Sequence, residues 1–239
     1  MGNPEETARQ AAEKIKEIYG DELVSIILYG SAAGKEYVPG KSNINLLVVL
    51  TDHGIKKLSP LFRYLKSFRK KHVAVPLLMT EQFIQTSLDT FPVEFLNMKL
   101  RYKLLQGKDV LVDLEIDKAW LRTQCERELK GKLLHLRQGF IETEGKASAL
   151  KVLISQSLKT FFFLFNALIF LKDSPIPETK KEKITLLTKL YDIDEKVFRD
   201  LLDVFEERVK PGEAELELLA MDYIDEMMNL SRKVDKLQL

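Results

Sequence analysis

The stretch "LYGSAAGKEYVPGKSNINLLVVL", Leu28 to Leu50, decides how the chain is read. It continues the short β-branched run "LVSIILYG", which predicts a strand ending at Gly30, with the loop starting at Ser31. Gly34, Pro39 and Gly40 mark the following segment as a loop, since each favours turn geometry. "INLLVVL" then predicts a second strand, apolar on both faces after Asn45 and therefore interior to a sheet covered on both sides. Asn43 and Asn45 lie two residues apart near its start, and side chains two apart on a strand point to the same side.

Working outward, Ala8, Ala11, Ala12, Ile15, Ile18 and Tyr19 recur at helical spacing and predict a helix from Glu5 to Tyr19. A basic helix is expected from about Lys56 to Lys71, with Leu58, Leu61, Phe62, Leu65 and Phe68 turned inward. "HVAVPLLM" is expected to be a third strand, at an edge or with a bulge because of Pro76. This alternation describes an α/β half. Beyond Thr80 the pattern becomes helical, with helices expected at Glu81–Leu88 and Pro92–Gln106 and a short extended piece at "DVLVDLEI". Asp117 is placed to cap a long helix. The largely apolar Val152–Leu171 is interrupted by Ser155, Gln156, Ser157, Lys159, Thr160 and Asn166, and reads as the central helix of a bundle. The expected fold class is α+β: a small mixed-sheet domain over 1–115, then an α-helical bundle domain over 116–239.

The residues "YGSAAGKEYVPGKSNINLLVV" resemble the signature of the nucleotidyltransferase superfamily, the DNA polymerase beta-like fold with its kanamycin nucleotidyltransferase-like members. The family pattern is an apolar strand, Gly-Ser, a loop of about ten residues containing glycine, and Asp-x-Asp opening the next strand. Gly30 and Ser31 match the first element, and Asn43 and Asn45 stand at the two aspartate positions. The resemblance implies a helical domain after the small sheet domain. In active members it implies two Mg²⁺ ions held by the paired carboxylates and a third acid on a neighbouring strand, clamping a phosphoryl displacement. It also implies a Gly-Ser turn whose backbone N–H groups hydrogen-bond a nucleotide's phosphates.

This chain departs from that pattern where the charge is needed. Asn offers one neutral carbonyl oxygen in place of two charged ones, whereas Mg²⁺ is a hard cation held by carboxylates beside substrate phosphates. Asp52 lies seven residues past Asn45, roughly 23 Å along an extended strand, and cannot substitute. "HVAVPLLM" contains no acid, and Glu36 and Glu81 do not recreate the pair. The expectation is a degenerate member with no catalytic residues and no metal ligands. Gly30, Ser31, Asn43 and Asn45 then form a candidate nucleotide pocket, with the two Asn side chains also suited to bonding the local backbone. An NTP is the expected ligand, with Mg²⁺ only if the site is active. The alternative is an active enzyme that moves NMP from an NTP to a small-molecule or protein acceptor.

Composition narrows the partners. Hydrophobic residues make up 45% and charged residues 31%, with net charge +1, so no global field draws the chain to nucleic acid or an anionic membrane. One cysteine excludes an intrachain disulfide, and three scattered histidines give no zinc spacing. The charged, amphipathic start is unlike a signal peptide, so a cytoplasmic location is expected. Lys56, Lys57, Arg63, Lys66, Arg69, Lys70 and Lys71 occur with no acid between His53 and Thr80. They read as a solvated helix face, and nucleic acid is not the expected partner. Asp192–Glu226 is acidic and Lys146–Lys189 basic, which suits pairing inside the bundle or between subunits. A protein partner or homo-oligomer is therefore also expected.

Overall fold

The computed structural model describes residues 3–34, 36–40 and 42–238. They divide into two compact units, Met1–Ile116 and Asp117–Leu239. The first unit opens with α1 (Pro4–Tyr19), whose N-terminus is capped by the Asn3 side chain accepting from the Glu5 amide. It continues through β1 (Leu23–Tyr29), β2 (Asn45–Leu50), α2 (Phe62–Lys70), β3 (Leu77–Met79), α3 (Glu81–Thr86), α4 (Pro92–Leu100) and β4 (Tyr102–Gly107). The strands form a mixed sheet in the order β3-β2-β1-β4, with β1 antiparallel to both neighbours and β2 parallel to β3.

Both faces of this sheet are covered, which explains why "INLLVVL" is apolar throughout. Ile26, Leu28, Leu46 and Val48 pack with Ala8, Ala11 and Ile15 of α1 and with Leu61 and Phe68. On the other face, Ile27, Leu47 and Val49 pack with Ile84 of α3, Phe95 and Met98 of α4, and Leu111 and Leu114. Two-sided burial fixes the strand register, because a slip of one residue would exchange the two sets of side chains.

Several local expectations are corrected. The helix expected over Pro92–Gln106 ends at Leu100, and Tyr102–Gly107 instead pairs antiparallel with β1. The open edge of β1 supplies a full ladder of backbone partners that overrides local helix preference. The third strand is confined to Leu77–Met79, with a lone bridge from Val73 to Ile44, because Pro76 has no N–H to give. "DVLVDLEI" is a turn held by Asp109, whose Oδ1 accepts from the Leu111 and Val112 amides. The basic helix begins only at Phe62, after 3₁₀ turns at Gly54–Lys56 and Ser59–Leu61, and Leu58 and Phe62 are exposed rather than inward.

The second unit contains α5 (Lys118–Glu142), α6 (Ala147–Leu171), α7 (Lys180–Tyr191), α8 (Glu195–Phe205) and α9 (Glu213–Asp235). Asp117 caps α5 by accepting from the Ala119 and Trp120 amides, as its position predicts. α6 is long and apolar enough to cross a membrane by length and composition. Here Ile154, Leu158, Phe161, Phe165 and Leu168 are buried, and α6 packs against α5, α7, α8 and α9. Phe161, Phe198 and Tyr223 meet edge to face, the arrangement favoured by the ring quadrupole.

The β1–β4 pairing depends on Gly107. Its φ is +81°, and a Cβ there would lie 2.1 Å from the Val24 carbonyl oxygen. Gly107→Ala is therefore expected to destabilise the first unit by about 3 kcal/mol or more, combining left-handed strain with a backbone collision. Chemical denaturation monitored by circular dichroism checks this, and an unchanged midpoint would show that the β4 end is not held as described.

Candidate functional site

The turn after β1 is built by backbone geometry. Gly30 adopts φ +77° and starts a 3₁₀ turn over Gly30–Ala33, with the Gly34 amide donating to the Ser31 carbonyl at 3.1 Å. The left-handed φ favours glycine at Gly30. A Cβ at Gly30 would sit 3.4 Å from Nδ2 of Asn45, so the Asn45 amide borders the turn directly. The Gly30 amide donates to the Arg101 carbonyl at 3.0 Å, so this donor is already engaged and the turn offers fewer free N–H groups than the sequence suggested.

Asn45 stands opposite Tyr29 in the β1–β2 pairing, and Tyr29 stands opposite Tyr102 in the β1–β4 pairing. Directly opposed residues share a face, so Asn45, Tyr29 and Tyr102 lie abreast on one side of the sheet. Asn43 joins them. Ile44 between the two Asn residues is buried in the α1-side core and bridges to Val73, so its neighbours point the other way. Asn43 is exposed and Asn45 half-buried. Neither side chain hydrogen-bonds another described residue, so the local backbone bonding that Asn readily makes is not seen at either position.

The residue that sequence reading missed is Arg101. The expected helix over Pro92–Gln106 would contain it, but it lies between α4 and β4, where its carbonyl accepts from the Gly30 amide. Its guanidinium forms an ion pair with Glu36, and its side chain lies over Gly34, where a Cβ would come within 2.7 Å of Arg101 Cδ. Only the long-range β1–β4 pairing brings this cation to the turn. The sequence carried no short-range signal for it.

The residues present do not fit the Mg²⁺ pair implied by the resemblance. The two central positions are neutral amides, β3 and β4 contain no acid, and the loop's Glu36 is engaged by Arg101. Among the described residues no three His, Cys, Asp or Glu side chains gather to hold a metal ion. A separate concavity of about 110 Å³, lined by Glu81, Ile84, Gln85, Asp109 and Asp113 among others, contains none of the four predicted residues.

Tyr102, in the same row as Asn45, has a phenol pushed up to about 12, first by burial and then by its 2.9 Å hydrogen bond to Asp109. Its folded value exceeds the ordinary value near 10, so its contribution to stability is complete below pH ~10 and is lost as pH rises through 12. The unfolding midpoint of the wild type is expected to fall over that range, and that of Tyr102→Phe to fall less. Parallel curves for the two proteins would contradict the assignment.

The pairing of the two Asn residues on one side generates another test. Asn43→Asp together with Asn45→Asp is expected to create Mn²⁺ affinity on the order of 1 mM or tighter, read by electron paramagnetic resonance. No gain in binding would contradict the register that aims both side chains at one point.

A scan against protein-family models finds no match to the sequence, and a search of curated proteins finds none either. Among solved structures, the fold is similar to spectinomycin adenyltransferase AAD(9) from Enterococcus faecialis, crystallised with ATP and spectinomycin. The TM-score is 0.49 and the identity 11%, over 95% of this chain and 99% of that one.

Proposed function

We propose that this chain is a nucleotidyltransferase-fold binding protein that takes up a nucleoside triphosphate without a divalent metal, in a regulatory or interaction role rather than as a transferase. The observation that carries the reading is the set of groups around the turn: Ser31 within it, two same-sided Asn side chains of which Asn45 borders Gly30, and the Arg101 side chain lying over Gly34. Carboxylates at positions 43 and 45 would repel a triphosphate unless a cation stood between them. The amide side chains reverse that preference, since each Asn provides two N–H donors that phosphate oxygens accept.

Arg101 supplies the charge-assisted partner. A phosphate oxygen would compete with Glu36 for its guanidinium, and Arg–phosphate contacts are among the stronger hydrogen bonds available to a protein. Gly34, lacking a side chain, lets Arg101 lie against the loop. The two Asn side chains are neutral and Glu36 is engaged by Arg101, so this set includes no free carboxylate to activate an acceptor, which is why the reading is binding and not transfer.

A thermal-shift titration with ATP, GTP, CTP and UTP, in EDTA and in Mg²⁺, tests this. The expected result is stabilisation in EDTA that Mg²⁺ does not enhance. Arg101→Met is expected to weaken it by about 10- to 100-fold in apparent affinity, corresponding to a charged hydrogen bond of about 1.5–3 kcal/mol. Stabilisation only with Mg²⁺ would favour the transferase. No response to any nucleotide would remove the nucleotide reading and leave a protein-interaction module.

A further inference from the structure

Among the helical surfaces that neither the cores nor the candidate site use, those of α2 and α9 are complementary. On α2, Phe62 is 68% exposed and is followed by Arg63, Lys66, Arg69 and Lys70, all exposed. None of these four cations forms an ion pair with a described residue, whereas the flanking Lys57 contacts Glu22 and Lys71 contacts Gln10. No acid interrupts α2. On α9, Leu218 is 63% exposed and Met221 49%, bordered by the exposed acids Glu217, Asp222 and Asp225. These three acids also make no ion pair among the described residues, and no Lys or Arg occurs between Glu213 and Asp225.

The two surfaces match in spacing as well as in sign. Phe62, Lys66 and Arg69 follow one another at i, i+4 and i+7, which places them on one stripe of α2. Leu218, Asp222 and Asp225 repeat the same spacing on α9. Each stripe covers about 10 Å at 1.5 Å per residue. With the helices running in the same direction, Phe62 meets Leu218 and Met221, Lys66 meets Asp222, and Arg69 with Lys70 meets Asp225.

We propose that the exposed face of α2 docks on the exposed face of α9 in a second copy of this chain. The occupant is argued from complementarity present on both surfaces: a lone exposed aromatic among unmatched cations, and an exposed apolar pair among unmatched acids. An isolated charge run would say only that a face is solvated. Here each face carries an apolar anchor at the start of its charged stripe, and an apolar contact bordered by charge is the usual make-up of association surfaces. The charges set orientation and rate more than strength, so association is salt-sensitive and of modest affinity.

Sedimentation equilibrium of the full chain over roughly 1 to 100 µM, in about 50 mM and about 500 mM salt, provides the test. The mass is expected to rise with concentration at low salt, and high salt is expected to move that rise to at least about tenfold higher concentration. Two charge-reversed proteins make the test specific: Lys66→Glu with Arg69→Glu, and Asp222→Lys with Asp225→Lys. Each alone is expected to remain a monomer, and mixing them is expected to restore assembly, because each then meets its complement. Restoration on mixing also shows that both variants are folded. A wild type that stays monomeric at low salt overturns the proposal, as does an assembly that persists in both variants. Binding of monomeric wild type to phosphatidylserine vesicles would overturn it in favour of a membrane-facing α2.

Discussion

The hydrogen bond from the Gly30 amide to the Arg101 carbonyl ties the Gly-Ser turn to the start of β4, and the candidate site depends on it. It forms only because Gly30 tolerates φ +77°, and because β4 occupies the free edge of β1. One consequence is steric: the Arg101 side chain is set over Gly34 and beside Glu36. Another is electrostatic, since the backbone delivers the Arg101 cation to the turn. The row Asn45–Tyr29–Tyr102 then follows from register alone.

That arrangement changes what the fold can do. A pair of carboxylates two apart on a strand makes a site that is empty of anions until a divalent cation arrives. Under the proposed function, a pair of amides in the same positions takes an anion unaided, at lower charge density and with no electrophilic assistance. Fold similarity therefore does not identify the activity, and the side chains at positions 43, 45 and 101 carry the functional argument.

Much of the fold was legible because its signals are local. The α1 stripe of Ala8, Ala11, Ala12 and Ile15, the two-faced apolar run of β2, and the Asp117 cap each reflect forces acting within a few residues. The glycine turn at Gly30 and the shared side of Asn43 and Asn45 were legible for the same reason. β4 was not, because Tyr102–Gly107 has the composition of a helix end and becomes a strand only by pairing with β1 far away in sequence. Arg101 was hidden with it. The exposure of Phe62 was also missed, since periodicity marks a stripe but does not say whether a neighbour covers it. The order of the elements, a small mixed sheet followed by helices, is the architecture that the sequence resemblance implied.

The most direct measurement is a crystal structure grown with a non-hydrolysable ATP analogue and Mn²⁺, with anomalous data collected at the manganese edge. Triphosphate density is expected against Ser31, Asn43, Asn45 and the Arg101 guanidinium, with Glu36 displaced from that group and no manganese peak at the start of β2. A manganese ion coordinated between Asn43, Asn45 and the phosphates would contradict it, as would an analogue bound away from the turn.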